Sequence, residues 1–103
     1  MKSKYRAVRT EVDGHSFPSL KESRRYGQLK MLQLAGEISE LRLQVPYELN
    51  PNGSFSYRYF ADFEYITKEG VKVTEDVKGF RNATYKKKAK LMMKVHGIKI
   101  KET

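Results

Sequence analysis

The sequence puts two aspartates and a lysine where carboxylate and ammonium groups could act together. Asp62 stands in one β-prone run, and Asp76 and Lys78 stand in the next one. Successive side chains of a strand point to opposite faces, so Asp76 and Lys78 share a face. If the two strands pair with Asp62 opposite Asp76, the Cβ atoms of the aspartates lie roughly 5 Å apart. Two carboxylates and one lysine then converge on one face.

A β-hairpin is predicted by the residues between the two runs. The runs Phe55–Thr67 and Val71–Lys78 are rich in β-branched and aromatic residues, and the connection between them ends in Gly70. Glycine tolerates the left-handed backbone that short hairpin connections require. If Thr67 pairs with Val71, the register sets the two aspartates opposite each other.

The opposed aspartates need a compensating charge. Like charges facing each other across a ladder destabilise it, and close carboxylates raise each other's proton affinity. Mg²⁺ or Mn²⁺ would remove the repulsion, because these ions bind one or two carboxylates, keep several waters and recruit substrate phosphate. The alternative is that Asp62 and Asp76 are ordinary polar residues on a solvated face. The spacing leaves both interpretations open.

A helix is predicted upstream of the hairpin. Ser19 and Glu22 fit a capping box, in which each side chain satisfies a free backbone N–H of the first turn. The helix runs over Leu20–Ala35, and Gly36 is placed to end it. Glu22 also heads a stripe, continued by Tyr26, that should pack on the sheet.

The strand that carries Asp62 alternates an aromatic face with a mixed face, and the run Ile38–Leu49 before it is also β-prone. Pro46 cannot donate a ladder hydrogen bond, so it indicates a sheet edge or a strand end. The aromatic face consists of Phe55, Tyr57, Tyr59, Ala61, Phe63 and Tyr65. Aromatic residues at a period of two favour a core or a dimer interface, and stacking on bases is the alternative.

A second helix is predicted over Tyr85–His96, with Thr84 as its N-cap, Gly97 as its end and a last strand at Ile98–Ile100. Its lysine run is either a solvated face or a set of contacts to a phosphate backbone. The candidate nucleic-acid contacts are Lys4, Arg6, Arg81, Lys86, Lys87 and Lys88.

Composition limits the class of protein. The 103 residues predict one domain, with residues 1–10 as a mobile basic arm. The net charge of +9 indicates a polyanionic partner, nucleic acid before membrane surface. The chain has no cysteine and no apolar run long enough to span a bilayer, so we expect a cytoplasmic protein. The modest hydrophobic content of 39% favours a small α/β unit or a homodimer that completes its core.

The aspartates and the lysine resemble a known signature. Asp62 followed after a hairpin by Asp76-Val77-Lys78 resembles the PD-(D/E)XK pattern of restriction-endonuclease-like nucleases, with Ala61 where the proline would stand. The whole chain resembles the DUF1064 family of small phage and prophage proteins. That resemblance is carried by Asp13-Gly14, Phe17, Ser19, Glu22, Arg25-Tyr26, Ala61-Asp62-Phe63 and Glu75-Asp76-Val77-Lys78-Gly79.

The resemblance implies an α/β fold with a restriction-endonuclease-like α-β-β-β-α-β core, in which helices flank a mixed central sheet. It also implies a Mg²⁺- or Mn²⁺-dependent DNA endonuclease, with branched DNA such as Holliday junctions as one candidate substrate and a homodimer as the suitable assembly. Asp62 and Asp76 would hold the ion, Glu22 would be a further ligand or a neighbour of the ligands, and Lys78 would stabilise charge at the phosphate. Gln44 is a weaker candidate on the preceding strand. The alternative function is a non-catalytic nucleic-acid-binding module, or a subunit of a phage replication or recombination complex.

Overall fold

A computed structural model of the chain describes residues 9–50, 53, 56–77 and 81–103. Its elements are β1 (Thr10–Val12), β2 (His15–Phe17), α1 (Leu20–Leu34), β3 (Ile38–Glu48), β4 (Arg58–Thr67), β5 (Lys72–Asp76), α2 (Ala83–Leu91) with a π-helical turn at Met92–His96, and β6 (Lys101–Glu102). The architecture is mixed α/β, with two helices and a four-stranded sheet of mixed direction. From α1 onwards the elements follow the predicted order.

A small hairpin precedes α1. Strands β1 and β2 are antiparallel, and Asp13 and Gly14 turn the chain between them with φ angles of 53° and 79°. Aspartate and glycine both tolerate the left-handed conformation, so this pair suits a tight turn. Most of the basic arm predicted over residues 1–10 lies outside the described residues, and Thr10 belongs to β1 and pairs with Phe17.

Helix α1 begins and ends close to the predicted residues. The Ser19 side chain accepts a hydrogen bond from the Glu22 backbone N–H at 3.2 Å, which confirms the Ser19 half of the capping box. Ala35 is the C-cap, and Gly36 leaves the helix with a φ of 79°. The helix buries Glu22 and Tyr26, as the stripe predicts.

The sheet has the order β3-β4-β5-β6, with β6 parallel to β5 and the other neighbours antiparallel. In the β4–β5 hairpin Phe63 pairs with Glu75, and the Thr67 N–H donates to the Val71 carbonyl at 2.8 Å. The register predicted from the Gly70 turn is therefore confirmed.

Strand β3 is an edge strand, as Pro46 predicts. Its pairing with β4 shifts between Ser39 and Arg42, which marks a β-bulge. Two residues of β3, Glu40 and Gln44, have positive φ angles of 55° and 50°.

Helix α2 begins earlier than predicted. Its N-cap is Asn82, whose side chain accepts a hydrogen bond from the Tyr85 N–H at 2.8 Å, so the prediction of Thr84 as the cap was wrong. Asn82 occupies the position from which a short side chain reaches the third helical N–H. The helix passes into the π-helical turn and ends at Gly97 with a φ of 67°, as predicted.

The last strand also differs from the prediction. Residues 98–100 are not in a strand, and β6 comprises Lys101 and Glu102, which pair with Glu75 and Asp76. The Thr103 N–H extends this ladder by donating to the Asp76 carbonyl at 3.0 Å. Ile100 instead packs into the core, so its apolar side chain marks burial rather than strand pairing.

The core consists of two clusters. Tyr59, Ala61 and Tyr85 belong to the cluster that packs against α2, and Phe63 and Tyr65 belong to the cluster that packs against α1. The described part of the aromatic face of β4 is thus largely buried, which favours the core interpretation over base stacking. Within the described residues neither helix is long and apolar enough to cross a membrane.

Candidate metal and nucleic-acid site

Strands β4 and β5 bring Asp62 and Asp76 together. The two residues continue the hairpin register by one step beyond the pair Phe63–Glu75. The Val77 backbone N–H donates to Asp62 Oδ2 at 2.9 Å, and Gln44 Nε2 donates to Asp62 Oδ1 at 3.3 Å. Asp62 is therefore oriented by one backbone and one side-chain donor.

The environment of the two aspartates disfavours two negative charges. Asp76 is buried and Asp62 is half-buried. Burial, a hydrogen bond with the Asp76 carboxyl and the negative charges of Asp76 and Glu22 raise the pKa of Asp62 to about 8, although the Val77 N–H opposes the shift. The pair retains a proton near neutral pH unless a cation replaces it.

Glu22 belongs to the same cluster. It lies in the first turn of α1 and is only 6% exposed, and its negative charge contributes to the raised pKa of Asp62. Its backbone N–H is bound by Ser19, while its carboxylate is close enough to act electrostatically on Asp62. The interpretations of Glu22 as a cap and as a site residue are compatible in this geometry.

Gln44 reaches Asp62 from an unfavourable backbone conformation. A non-glycine residue with a φ of 50° costs roughly 1–2 kcal/mol relative to the extended conformation. The pairing of β3 with β4 continues on both sides of Gln44, with Leu43 opposite Phe63 and Val45 opposite Ala61. The sequence prediction of Gln44 as a site residue agrees with its contact to Asp62.

A tyrosine that sequence reasoning did not select also borders the site. Tyr59 is 4% exposed, and burial together with the negative charge of Asp76 raises the pKa of its hydroxyl far above its usual value. The alternating pattern places Tyr59 on the aromatic face and predicts no role for it in the site. No signal in the sequence shows that its hydroxyl lies near Asp76.

An ion pair between Arg25 of α1 and Glu75 of β5 lies next to the cluster in sequence. Arg25 binds Glu75 through two nitrogens, with Nη2 at 3.0 Å from Oε2, and Tyr65 donates to the same oxygen at 2.6 Å. Desolvation raises the pKa of the fully buried Glu75, but these donors outweigh it, so the pKa is lowered. Arg25 and Glu75 both stand in the DUF1064-like motif, which is the signal that could have identified them.

Another buried carboxylate, Glu64, lies opposite Thr74 in the β4–β5 pairing. It accepts hydrogen bonds from the hydroxyls of Tyr47 and Thr74 and is approached by Arg42 at 3.5 Å and Lys72 at 3.7 Å. These donors and cations compensate the buried charge of Glu64, so its burial has a structural explanation.

The predicted nucleic-acid contacts fall into three groups. Lys86 and Lys87 are exposed, and the Lys87 and Lys88 ammonium groups lie 5.7 and 5.3 Å from the centre of the Tyr57 ring. Arg81 pairs with Glu102 at 3.3 Å, which neutralises part of its charge. Lys4, Arg6 and Lys78 lie outside the described residues.

The carboxylates of the cluster are candidate ligands of a divalent cation. Among residues 9–50, 53, 56–77 and 81–103, no group of three His, Cys, Asp or Glu side chains has an arrangement that could hold a metal ion. The two opposed aspartates still supply the hard oxygen atoms that Mg²⁺ accepts, because this ion is usually held by one or two carboxylates together with waters and phosphate. The donor set therefore fits Mg²⁺ or Mn²⁺ through Asp62 and Asp76, with Glu22 beside them.

Comparison with known proteins gives one match. The family model described as "Protein of unknown function (DUF1064)" matches residues 2–102. No curated protein and no solved structure matches the chain.

Proposed function

The chain belongs to the DUF1064 family, and we propose that it is a metal-dependent DNA endonuclease with a restriction-endonuclease-like fold. The observation that carries this proposal is the meeting of Asp62 and Asp76 at one end of the β4–β5 hairpin, with Glu22 beside them. The negative charges of Asp76 and Glu22 raise the pKa of Asp62, and a carboxyl group in such surroundings favours a bound cation. A net charge of +9 favours a nucleic-acid substrate.

The protein residues would act by holding and orienting groups. Asp62 and Asp76 would hold the cation, and Gln44 and the Val77 N–H fix the orientation of the Asp62 carboxylate. When bound, Mg²⁺ or Mn²⁺ supplies charge stabilisation at the scissile phosphate and lowers the pKa of a water nucleophile. Lys78, two residues after Asp76, neutralises charge that develops on the phosphate.

The proposal includes a homodimer that acts on branched DNA in a phage-infected cytoplasm. Met31 and Leu34 lie one turn apart near the end of α1 and are 67% and 81% exposed. An exposed apolar stripe of this kind supports a two-fold contact between copies. Paired incisions in a branched substrate need paired sites, which a two-fold dimer provides.

The experiment is a cleavage assay on supercoiled plasmid and on a four-way junction, each with Mg²⁺, with Mn²⁺ and with EDTA. We expect cleavage with either ion and none with EDTA. The Asp76→Asn variant, purified in parallel, controls for a contaminating nuclease, because it should not cleave. Equal cleavage by the parent and by Asp76→Asn would reject the proposal.

A non-catalytic nucleic-acid-binding module is the second candidate. It is favoured by the lack of a three-ligand metal arrangement among the described residues. In that case the protein would bind both DNA substrates with a strong salt dependence and leave them intact with every ion.

A further inference from the structure

A cavity of about 280 Å³ is lined by Val77, the residue that follows Asp76. It lies between the first half of α1 and the residue that follows β5. Its lining residues are Lys21, Arg24, Arg25, Gln28, Val77 and Thr103. Three of these six residues are cations, and the described lining includes no acidic residue.

The cavity is connected to the carboxylate cluster through Val77. This residue lines the cavity, and its backbone N–H donates to Asp62 Oδ2 at 2.9 Å. On the helix side, Lys21 is adjacent in sequence to Glu22. The cations and the carboxylates therefore form neighbouring surfaces, one suited to an anion and the other to a metal ion.

The cations of the cavity have different surroundings. Arg25 is bound to Glu75, and its Nη1 donates to Gln28 Oε1 at 3.0 Å. Lys21 and Arg24 are exposed on the same side of α1. Exposed cationic side chains at one cavity can reach a phosphate from solvent, and an arginine fork matches the geometry of phosphate oxygens.

We propose that this cavity binds a backbone phosphate of the nucleic acid next to the phosphodiester held at Asp62 and Asp76. The inference deepens the proposed function, and it rests on that function only for the role of the neighbouring carboxylates. One phosphate would bind the cations of the cavity, and the neighbouring phosphate would bind the metal ion. The two contacts together would fix the position of the strand along its axis. Arg24 and Lys21 are positioning residues in this arrangement, because they contact the substrate away from the reacting bond.

The test measures binding without cleavage. The Kd of a fluorescently labelled duplex is determined by anisotropy in EDTA over a series of salt concentrations, for the parent, Arg24→Gln, Lys21→Gln and the double variant. The matched control is Lys30→Gln, which removes one charge from the same helix outside the cavity lining. We expect the slope of log K against log salt to shrink by about 0.9 for each cation that contacts a phosphate, and to be unchanged in Lys30→Gln.

Two duplexes identify the phosphate. One is a closed dumbbell without ends, and the other is the same duplex opened to carry a 5′-phosphate. A reduced slope on both duplexes supports the internal phosphodiester. A reduced slope on the open duplex alone would assign the cavity to a terminal phosphate and overturn the proposal. Slopes of Arg24→Gln and Lys21→Gln that equal the Lys30→Gln slope on both duplexes would overturn it.

Failure of this inference is distinguishable from failure of the proposed function. Reduced slopes in a protein that never cleaves DNA would leave the phosphate site standing and reject the nuclease. Metal-dependent cleavage by the parent, with unchanged slopes and an unchanged KM in Arg24→Gln, would support the nuclease and reject the phosphate site. A melting temperature for each variant confirms that the binding data refer to folded protein.

Discussion

The Arg25 guanidinium and the Glu75 carboxylate join helix α1 to strand β5, with Nη2 of the arginine 3.0 Å from Oε2 of the glutamate. Glu75 is fully buried and directly precedes Asp76, and Arg25 follows Glu22 by three residues. The pair thus sets the spacing between the two elements that carry Glu22 and Asp76.

Removing the arginine should be costly. We expect Arg25→Met to lower the free energy of unfolding by about 3 kcal/mol, because it leaves the Glu75 charge buried without its cation. The double variant Arg25→Met/Glu75→Gln should recover part of that stability, since no unpaired charge remains. Urea unfolding of both variants measures the difference. A double variant no more stable than Arg25→Met would contradict this account of the pair.

The hairpin aspartates should be required for cleavage and dispensable for the fold. Asp62→Asn and Asp76→Asn each remove a charged ligand while keeping the shape of the side chain, so cleavage should fall below detection. DNA affinity should stay equal or increase, because repulsion of phosphate decreases. The control is Glu69→Gln, which removes a carboxylate from the exposed turn of the same hairpin. Normal cleavage by both aspartate variants would remove these residues from the site.

Glu22 and its cap partner can be separated by two substitutions. Glu22→Gln keeps the backbone N–H that Ser19 binds, so thermal stability should stay near the parent value, while cleavage should fall most at low Mg²⁺ and recover partly as the ion is raised. Ser19→Ala should instead cost about 1 kcal/mol of stability and keep activity per folded molecule. If Glu22→Gln loses stability without losing activity, Glu22 is only a cap.

Turn and capping residues predicted the elements whose conformation depends on neighbours in the chain. Gly70 and the alternating pattern around it predicted the register that opposes Asp62 to Asp76, and Ser19 predicted the start of α1. These features depend on residues that are near neighbours in the chain, where backbone preferences and short hydrogen bonds decide the outcome.

The features that the sequence did not predict depend on distant partners. The contact between Arg25 and Glu75 spans 50 residues, and nothing in either local pattern identifies the other member. Strand β6 was predicted at the apolar residues before Lys101, but its position is decided by pairing with Glu75 and Asp76. In the ion pair and in β6, hydrogen bonds between residues distant in the chain decide the structure, and local sequence preferences do not.

The lysines of α2 should contribute to the salt dependence of DNA binding. Replacing Lys86, Lys87 and Lys88 together by alanine should reduce the slope of log K against log salt by about 0.9 for each phosphate that a lysine no longer neutralises. Anisotropy titrations at several salt concentrations measure the slope. Lys68→Ala is the control, because this lysine lies at the hairpin turn and pairs with Glu37. An unchanged slope in the triple variant would assign the run to a solvated face.

The raised pKa of Asp62 gives a pH dependence of known sign. Its carboxyl keeps a proton up to about pH 8 in the folded protein, whereas the unfolded chain releases that proton near the ordinary value of about 4. Stability contributed by this group is therefore present at low pH and lost as the pH rises toward 8. We expect the melting temperature in EDTA to fall between about pH 5 and about pH 8, and the fall to be smaller in Asp62→Asn.

Adding Mg²⁺ extends the same experiment. The ion competes with the proton for the aspartate oxygens, so it should raise the melting temperature more at the upper end of this range than at the lower end. Calorimetry with matched Mg²⁺ and EDTA samples measures the difference. An increase that does not vary with pH, or that persists in Asp62→Asn, would place the ion elsewhere.

The separation of α1 from β5 along the chain has a consequence for the order of folding. The β4–β5 hairpin closes across Lys68–Val71, whereas the contacts of α1 with β5 must close a loop of 50 residues. Long-range closure costs more chain entropy and is favoured only after local pairing has formed. Glu22 should therefore join the two aspartates late in folding and separate from them early in native-state fluctuations. The Val77 amide hydrogen is bound to Asp62 within the hairpin, so its exchange should remain slow while α1 opens.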